Sequence, residues 1–116
     1  MAIHTDLNIY KSAYELLQAV SALVKNFPRS VKPLLGGAIH DACLQIVLLV
    51  AKANAARQKM LHLDQMLERV MEAELLMRIA KDMKFISIQQ YASAVLLTDS
   101  IGKQANGWRK ASLPAA

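Results

Sequence analysis

The sequence predicts an all-α fold, an antiparallel up-down-up-down four-helix bundle. Only four glycines and three prolines interrupt 116 residues, so the elements should be long. Apolar residues make up 54% of the chain and recur with helical spacing. A chain of this length can form one domain with its own core, and we take residues 1–116 as that domain. Four long helices joined by short links pack as a bundle.

The first helix is expected over about 6–26. Thr5 or Asp6 can cap its start, because their side-chain oxygens accept from free backbone N–H groups. Pro28 should end it, since the residue before a proline is pushed out of the α region. Its predicted apolar face consists of Tyr10, Ala13, Tyr14, Leu17, Val20 and Val24.

The second helix is expected over about 31–54, with Ser30 as its cap and Pro33 in its first turn. Its middle, 42–51, is the longest near-continuous apolar run of the chain. That run is about half of the roughly 20 residues a membrane span needs, so we expect no membrane insertion. One predicted core line is Ile39, Cys43, Ile46, Val50 and Ala53, opposite a polar line of Asp41, Gln45 and Lys52. A second apolar flank, the predicted oligomer interface, is Leu44, Val47, Leu48 and Ala51.

The third helix is expected over about 58–84. Its heptad-like stripe is Leu63, Met66, Leu67, Val70, Ala73, Met77 and Ala80. If the second helix continued into it, this stripe would fall on the same side as the polar line of the second helix. A break is therefore expected near 55–60, with Asn54 as a left-handed C-terminal residue.

The fourth helix is expected over about 88–110. Ser87 and Gln90 have the spacing of a capping box, and Ile86 with Tyr91 has that of a hydrophobic staple. This is the clearest local signal in the chain. The connections then alternate between the two ends of the bundle, with the first and third at one end.

The sequence contains no constellation that predicts catalysis or metal binding, so we expect no enzyme, cofactor or metal site. His4, His40 and His62 lack the spacing of a helical zinc site. His40 and Cys43 are three residues apart without an orienting group, and Cys43 lies on the predicted core line. Gly36 and Gly37 are expected to allow close helix packing rather than to hold phosphate. A single cysteine and no evident signal peptide favour a cytoplasmic protein.

Basic residues concentrate near both predicted ends of the bundle, and the net charge is +5. Cations suit helix C-termini, which accounts for part of this pattern but not for Arg29 and Lys32. An anionic partner such as nucleic acid fits the excess. The candidate contacts are Lys25, Arg29, Lys32, Arg57, Lys59, Arg78, Lys81, Lys84, Arg109 and Lys110. Glu74 can pair with Arg78 one turn away, as an edge ion pair or as part of an interface.

Several segments taken together resemble the accessory variability determinant (Avd) proteins of diversity-generating retroelements. They are Phe27-Pro28-Arg29, Leu35-Gly36, Ala53-Asn54-Ala55-Ala56-Arg57-Gln58-Lys59, Leu76-Met77-Arg78-Ile79-Ala80-Lys81-Asp82-Met83, Ile86-Ser87 and Gly107-Trp108-Arg109-Lys110. The likeness covers about 7–110. That family is similar in turn to the four-helix proteins encoded in intervening sequences of 23S ribosomal RNA genes.

The resemblance implies a bacterial four-helix protein that assembles into a homopentamer and has no catalytic activity. It implies binding of RNA or DNA and docking of the retroelement reverse transcriptase, in support of mutagenic cDNA synthesis and retrohoming. By position, the implied contacts are Arg29, Arg57, Lys59, Arg78, Lys81, Arg109 and Lys110. The alternative is a structural or protein-interaction oligomer of the intervening-sequence type with no nucleic-acid role.

Overall fold

A computed structural model of the chain describes residues 3–114, which contain four α-helices and no strand. The helices are α1 (Asn8–Val24), α2 (Gly37–Ala55), α3 (Met60–Asp82) and α4 (Ile88–Ala111). A 3-10 turn, His4–Asp6, precedes α1, and a π-helical turn, Lys32–Gly36, precedes α2. Residues 1–2 and 115–116 of the predicted domain lie outside the described residues. The all-α prediction is confirmed.

Each helix packs against the next one in the chain, and α1 closes the ring by packing against α4. The contacts between α3 and α4 show their antiparallel register. Asp64 meets Arg109, Glu74 meets Thr98, and Lys81 meets Tyr91. As residue numbers rise along α3, those of its partners fall along α4. The result is a rod of 49 × 22 × 20 Å.

Each end of the rod is marked by a contact between two residues that are distant in sequence. At one end, which we call the Phe27 end, the rings of Phe27 and Phe85 lie 5.7 Å apart, joining the α1–α2 and α3–α4 connections. At the other, the Trp108 end, the ammonium of Lys59 lies 5.9 Å from the centre of the Trp108 ring. The α2–α3 connection and the C-terminus of α4 therefore share the Trp108 end, as the predicted topology requires.

The predicted core line of α2 is confirmed, because all five of its residues are buried. Burial extends further around α2, to Ala42, Val47 and Leu49, since this helix packs against both α1 and α3. By length and composition the segment Lys32–Ala55 could cross a membrane, a test that the core helix of a soluble protein also passes. In this bundle its buried residues belong to the common core.

The buried face of α1 differs from the predicted one. The residues inside are Ile9, Ala13, Leu16 and Val20, whereas Tyr14 is 46% exposed. Tyr14 stacks instead on Tyr10, with 6.0 Å between ring centres. The difference arises because apolar residues cover more than half of this helix, so its sequence alone leaves the rotation open. Packing against both α2 and α4 selects the face with Ile9 and Leu16.

The predicted caps of α1 and α2 were wrong. Neither Thr5 nor Asp6 caps α1, because both lie in the preceding 3-10 turn and Leu7 occupies the cap position. Likewise Ser30 does not cap α2, which is entered through the π-helical turn containing Pro33. In both places a short helical turn precedes the helix and no side chain caps it; Leu7 before α1 is extended, whereas Gly36 before α2 is itself helical.

Close helix packing explains Gly36, the glycine immediately before α2. Gly36 is buried, and a Cβ atom built there would lie 2.7 Å from Cγ1 of Val24. Only glycine allows α2 to approach the end of α1 so closely. At Gly37 a Cβ would meet nothing within 4 Å, so the first glycine alone is required by packing. The expectation of close packing is confirmed for Gly36.

The α2–α3 break lies where the helical phases predicted it, between Ala55 and Met60. Asn54 is helical rather than left-handed, so that detail was wrong. The capping box of α4 is confirmed. Ser87 Oγ accepts from the N–H of Gln90 at 3.0 Å, and Gln90 Oε1 accepts from the N–H of Ser87 at 2.8 Å.

Candidate nucleic-acid interface

Charge is segregated along the rod. The Phe27 end, residues 23–36 and 78–87, carries six basic residues and one acidic residue. The Trp108 end, residues 3–12, 52–64 and 102–114, carries seven basic and two acidic residues. Between them lies an acidic belt that carries six carboxylates and one cation, Arg69. The belt carboxylates are Glu15, Asp41, Glu68, Glu72, Glu74 and Asp99.

At the Phe27 end most cations are exposed and unpaired. Lys25, Arg29 and Lys32 extend from the end of α1 and from the α1–α2 connection, and Arg78 and Lys84 come from the end of α3. None of the five side chains makes a hydrogen bond or ion pair with a described residue. Their charges are therefore available to a ligand.

Lys84 has an unusual backbone that follows from how α3 ends. Its φ is 65°, and it is the one non-glycine residue with positive φ among residues 3–114. The N–H of Phe85 donates to the Ala80 carbonyl at 2.8 Å, and that of Lys84 to the Lys81 carbonyl at 3.0 Å. These two bonds define a Schellman motif, whose left-handed position usually holds glycine. Here a lysine side chain is displayed from it.

Lys81 is more constrained than its neighbours. Its ammonium lies 4.7 Å from the centre of the Tyr91 ring and 3.5 Å from Asp82 Oδ1. Its side chain is about one quarter exposed. A groove between the α3–α4 connection and the start of α4 is lined by Lys81, Lys84, Phe85 and Ser87. Two of the predicted contacts thus border one groove at the Phe27 end.

At the Trp108 end two predicted contacts are engaged within the bundle. Lys59 Nζ donates to the carbonyls of Ala53 at 2.8 Å, Asn54 at 3.2 Å and Ala56 at 2.8 Å. These carbonyls lie at and just beyond the end of α2, where the regular series of backbone donors stops. The Ala53 carbonyl also accepts from the N–H of Ala56 at 3.3 Å. Arg109 Nε donates to Asp64 Oδ1 at 2.8 Å. Arg57 and Lys110 are exposed and form no ion pair with a described residue.

Glu74 does not pair with Arg78 as the sequence allowed. Its Oε1 accepts from the hydroxyl of Thr98 at 2.6 Å, across the α3–α4 interface. Thr98 is fully buried, so this bond satisfies a polar group inside the core. Arg78 is left exposed.

The predicted oligomer flank is only partly accessible. Val47 is buried within the chain, Leu44 and Ala51 are half-buried, and Leu48 is 41% exposed. A second apolar surface, missed from the sequence, follows the outer side of α3. We call it the α3 ridge; its members are Met71, Leu75, Ile79 and Met83, all exposed. Their spacing of four residues was the available signal, since it places them on one face of a helix.

The His40–Cys43 pair has no catalytic geometry. Cys43 is buried, and desolvation raises its pKa from 9.0 to about 12, so the nucleophilic thiolate is suppressed. His40 is exposed on the helix surface. Among residues 3–114 no group of histidine, cysteine and carboxylate side chains has a metal-binding arrangement. Cys43 acts as a small core side chain.

Comparison with known proteins identifies the family. No curated protein matches the chain. A family model described as bAvd-like matches residues 7–112, which span the whole bundle from the residue before α1 to the residue after α4. The chain therefore belongs to the bAvd-like family.

Proposed function

We propose that this protein is a non-enzymatic accessory factor of a diversity-generating retroelement that binds RNA or DNA together with the reverse transcriptase. Membership of the bAvd-like family supports an accessory role, and the family is non-catalytic in general. Binding would support mutagenic cDNA synthesis and retrohoming. The bacterial cytoplasm, where such an element is transcribed, is the proposed location.

The observation that carries nucleic-acid binding is the set of free cations at the Phe27 end. Five exposed basic side chains there have no ion-pair partner among the described residues, so binding a phosphate breaks no existing pair. Lys32 also lies in the first turn leading into α2, where the helix dipole disfavours a cation. Helix stability therefore does not explain its charge, whereas attraction to phosphates does.

The experiment measures the affinity of the protein for single-stranded RNA at low salt. A Phe27-end variant, Arg29→Gln with Lys32→Gln and Lys84→Gln, removes three free cations. We expect its affinity to fall at least about tenfold, since each lost phosphate contact also loses the release of a counterion. A control with Arg29→Lys, Lys32→Arg and Lys84→Arg keeps the charge and should bind within about threefold. Equal binding by all three proteins would refute the proposed site.

Self-association is the second part of the proposal, and a pentamer is the stoichiometry expected from the family. The α3 ridge supports it, because Met71 is 71% exposed and Leu75 59% exposed on one helix face. Contiguous exposed apolar surface of this kind marks interfaces. Leu44 and Leu48 on α2 form the other candidate surface.

Light scattering of two paired variants tests which surface joins the subunits. Leu44→Lys with Leu48→Lys is expected to give a smaller species. Met71→Lys with Leu75→Lys should do the same if the α3 ridge faces the neighbouring subunit. A native mass unchanged by both variants would exclude both surfaces. A monomeric mass for the unmodified protein would exclude self-association itself.

A structural oligomer without a nucleic-acid role is the alternative, and the same α3 ridge favours it. Purification from cells separates the two. Recovery of a reverse transcriptase together with RNA supports the accessory role, whereas recovery of a protein partner free of nucleic acid supports the alternative. A reverse-transcriptase gene beside two near-identical repeats would also favour the first.

A further inference from the structure

We infer that the two ends of the bundle bind two separate nucleic-acid segments and that the protein bridges them. This inference rests on the proposed function and deepens it, because it assigns a second binding surface. It also excludes a binding mode in which one nucleic-acid strand runs lengthwise along the helices. Three features support it: the free cations of the Trp108 end, the acidic belt, and the distance between the ends.

The Trp108 end retains free cations although Lys59 and Arg109 are engaged. The exposed basic residues without an ion pair to any described residue are Lys11, Lys52, Arg57, Lys103 and Lys110. Lys11 lies in the first turn of α1, where the helix dipole disfavours a cation. As at Lys32, helix stability does not account for this charge. Both ends therefore offer five free cations.

The acidic belt separates these two surfaces. Its one cation, Arg69, already pairs with Glu72 at 2.9 Å, so it offers little to a ligand. Each of the four helices carries at least one belt carboxylate, so a strand that ran along any side of the rod would bring its phosphates close to negative charge. Repulsion there would offset the attraction at the ends, so a bound strand should cross an end of the rod instead.

Distance makes the two ends electrostatically independent. The rod is 49 Å long, whereas the Debye length at physiological salt is about 8 Å. A phosphate at one end therefore responds to the local charge, with an excess of five at each end, and not to the opposite end. The net charge of +5 understates the attraction at each end. The negative charge of the belt lowers the total by as much as one end contributes, but it lies between the two ends.

A capture assay tests the bridge. Biotinylated single-stranded RNA on beads should retain a second, fluorescent single strand only when protein is present. The Phe27-end variant and a Trp108-end variant, Lys52→Gln with Arg57→Gln and Lys110→Gln, each remove three cations from one end. We expect each to bind a single strand still, but to lose at least about tenfold in capture of the second. Lysine–arginine exchange at the same positions is the matched control.

The outcomes separate this inference from the proposed function. No RNA binding by the unmodified protein would refute both. Binding without capture of a second strand would leave the proposed function standing and refute the bridge. Capture that persists in both variants would show that several copies bridge through one end, which also refutes it. Loss of capture in only one variant would assign nucleic acid to that end alone and overturn the inference. Circular dichroism melts verify that each variant is folded.

Discussion

The two ends of the bundle carry similar numbers of basic residues but use them differently. At the Phe27 end five of six cations are free of ion pairs within the described chain. At the Trp108 end Lys59 holds the end of α2 and Arg109 pairs with Asp64. The comparison shows that a count of charges does not measure the charge available to a ligand. Contacts within the fold decide how much remains.

The largest effect on stability is expected at Lys59. Lys59→Met keeps the apolar stem but leaves the carbonyls of Ala53, Asn54 and Ala56 without this donor. We expect the free energy of unfolding in urea to fall by about 2 kcal/mol, the scale of charge-assisted hydrogen bonds. Arg57→Met is the control, since Arg57 is exposed and unpaired among the described residues, and it should change stability by less than about 0.5 kcal/mol. Equal effects would contradict the distinction between engaged and free cations.

A smaller effect of opposite sign is expected at Lys84. Its positive φ disfavours a side chain, so Lys84→Gly should raise the free energy of unfolding by about 1 kcal/mol. The same change should weaken RNA binding, because a free cation is lost. Lys84→Asn also removes the charge, and asparagine tolerates a positive φ, so this variant should weaken RNA binding equally. Stabilisation without any change in binding would make Lys84 a purely structural residue.

How far the sequence predicted the molecule depends on the distance between interacting residues. The capping box at Ser87 and the core line of α2 were predicted correctly, because each follows from residues within one helix. The buried face of α1 was not, since two neighbouring helices determine its rotation. The bond between Glu74 and Thr98 joins different helices and has no local signature.

The candidate site shows the same limit. The predicted helix boundaries placed basic residues at both ends of the bundle. The structure has the connections between helices at the ends where the prediction put them. The role of Lys59 could not be predicted, because it depends on how the chain turns after Ala55 and brings the ammonium back to α2. The α3 ridge was detectable from its four-residue spacing. It was missed because the same helix also carries the stripe of core residues, which accounted for the apolar pattern of α3 without a second face.

The salt dependence of RNA binding tests the central claim, that the free cations of the Phe27 end contact phosphates, most directly. For the unmodified protein the logarithm of the association constant should fall linearly with the logarithm of salt concentration. The Phe27-end variant, in which Arg29, Lys32 and Lys84 are replaced by glutamine, should have a slope reduced in magnitude by about 2, since each phosphate contact to a single strand contributes about 0.7. A slope identical to that of the unmodified protein would show that these side chains do not neutralise phosphates.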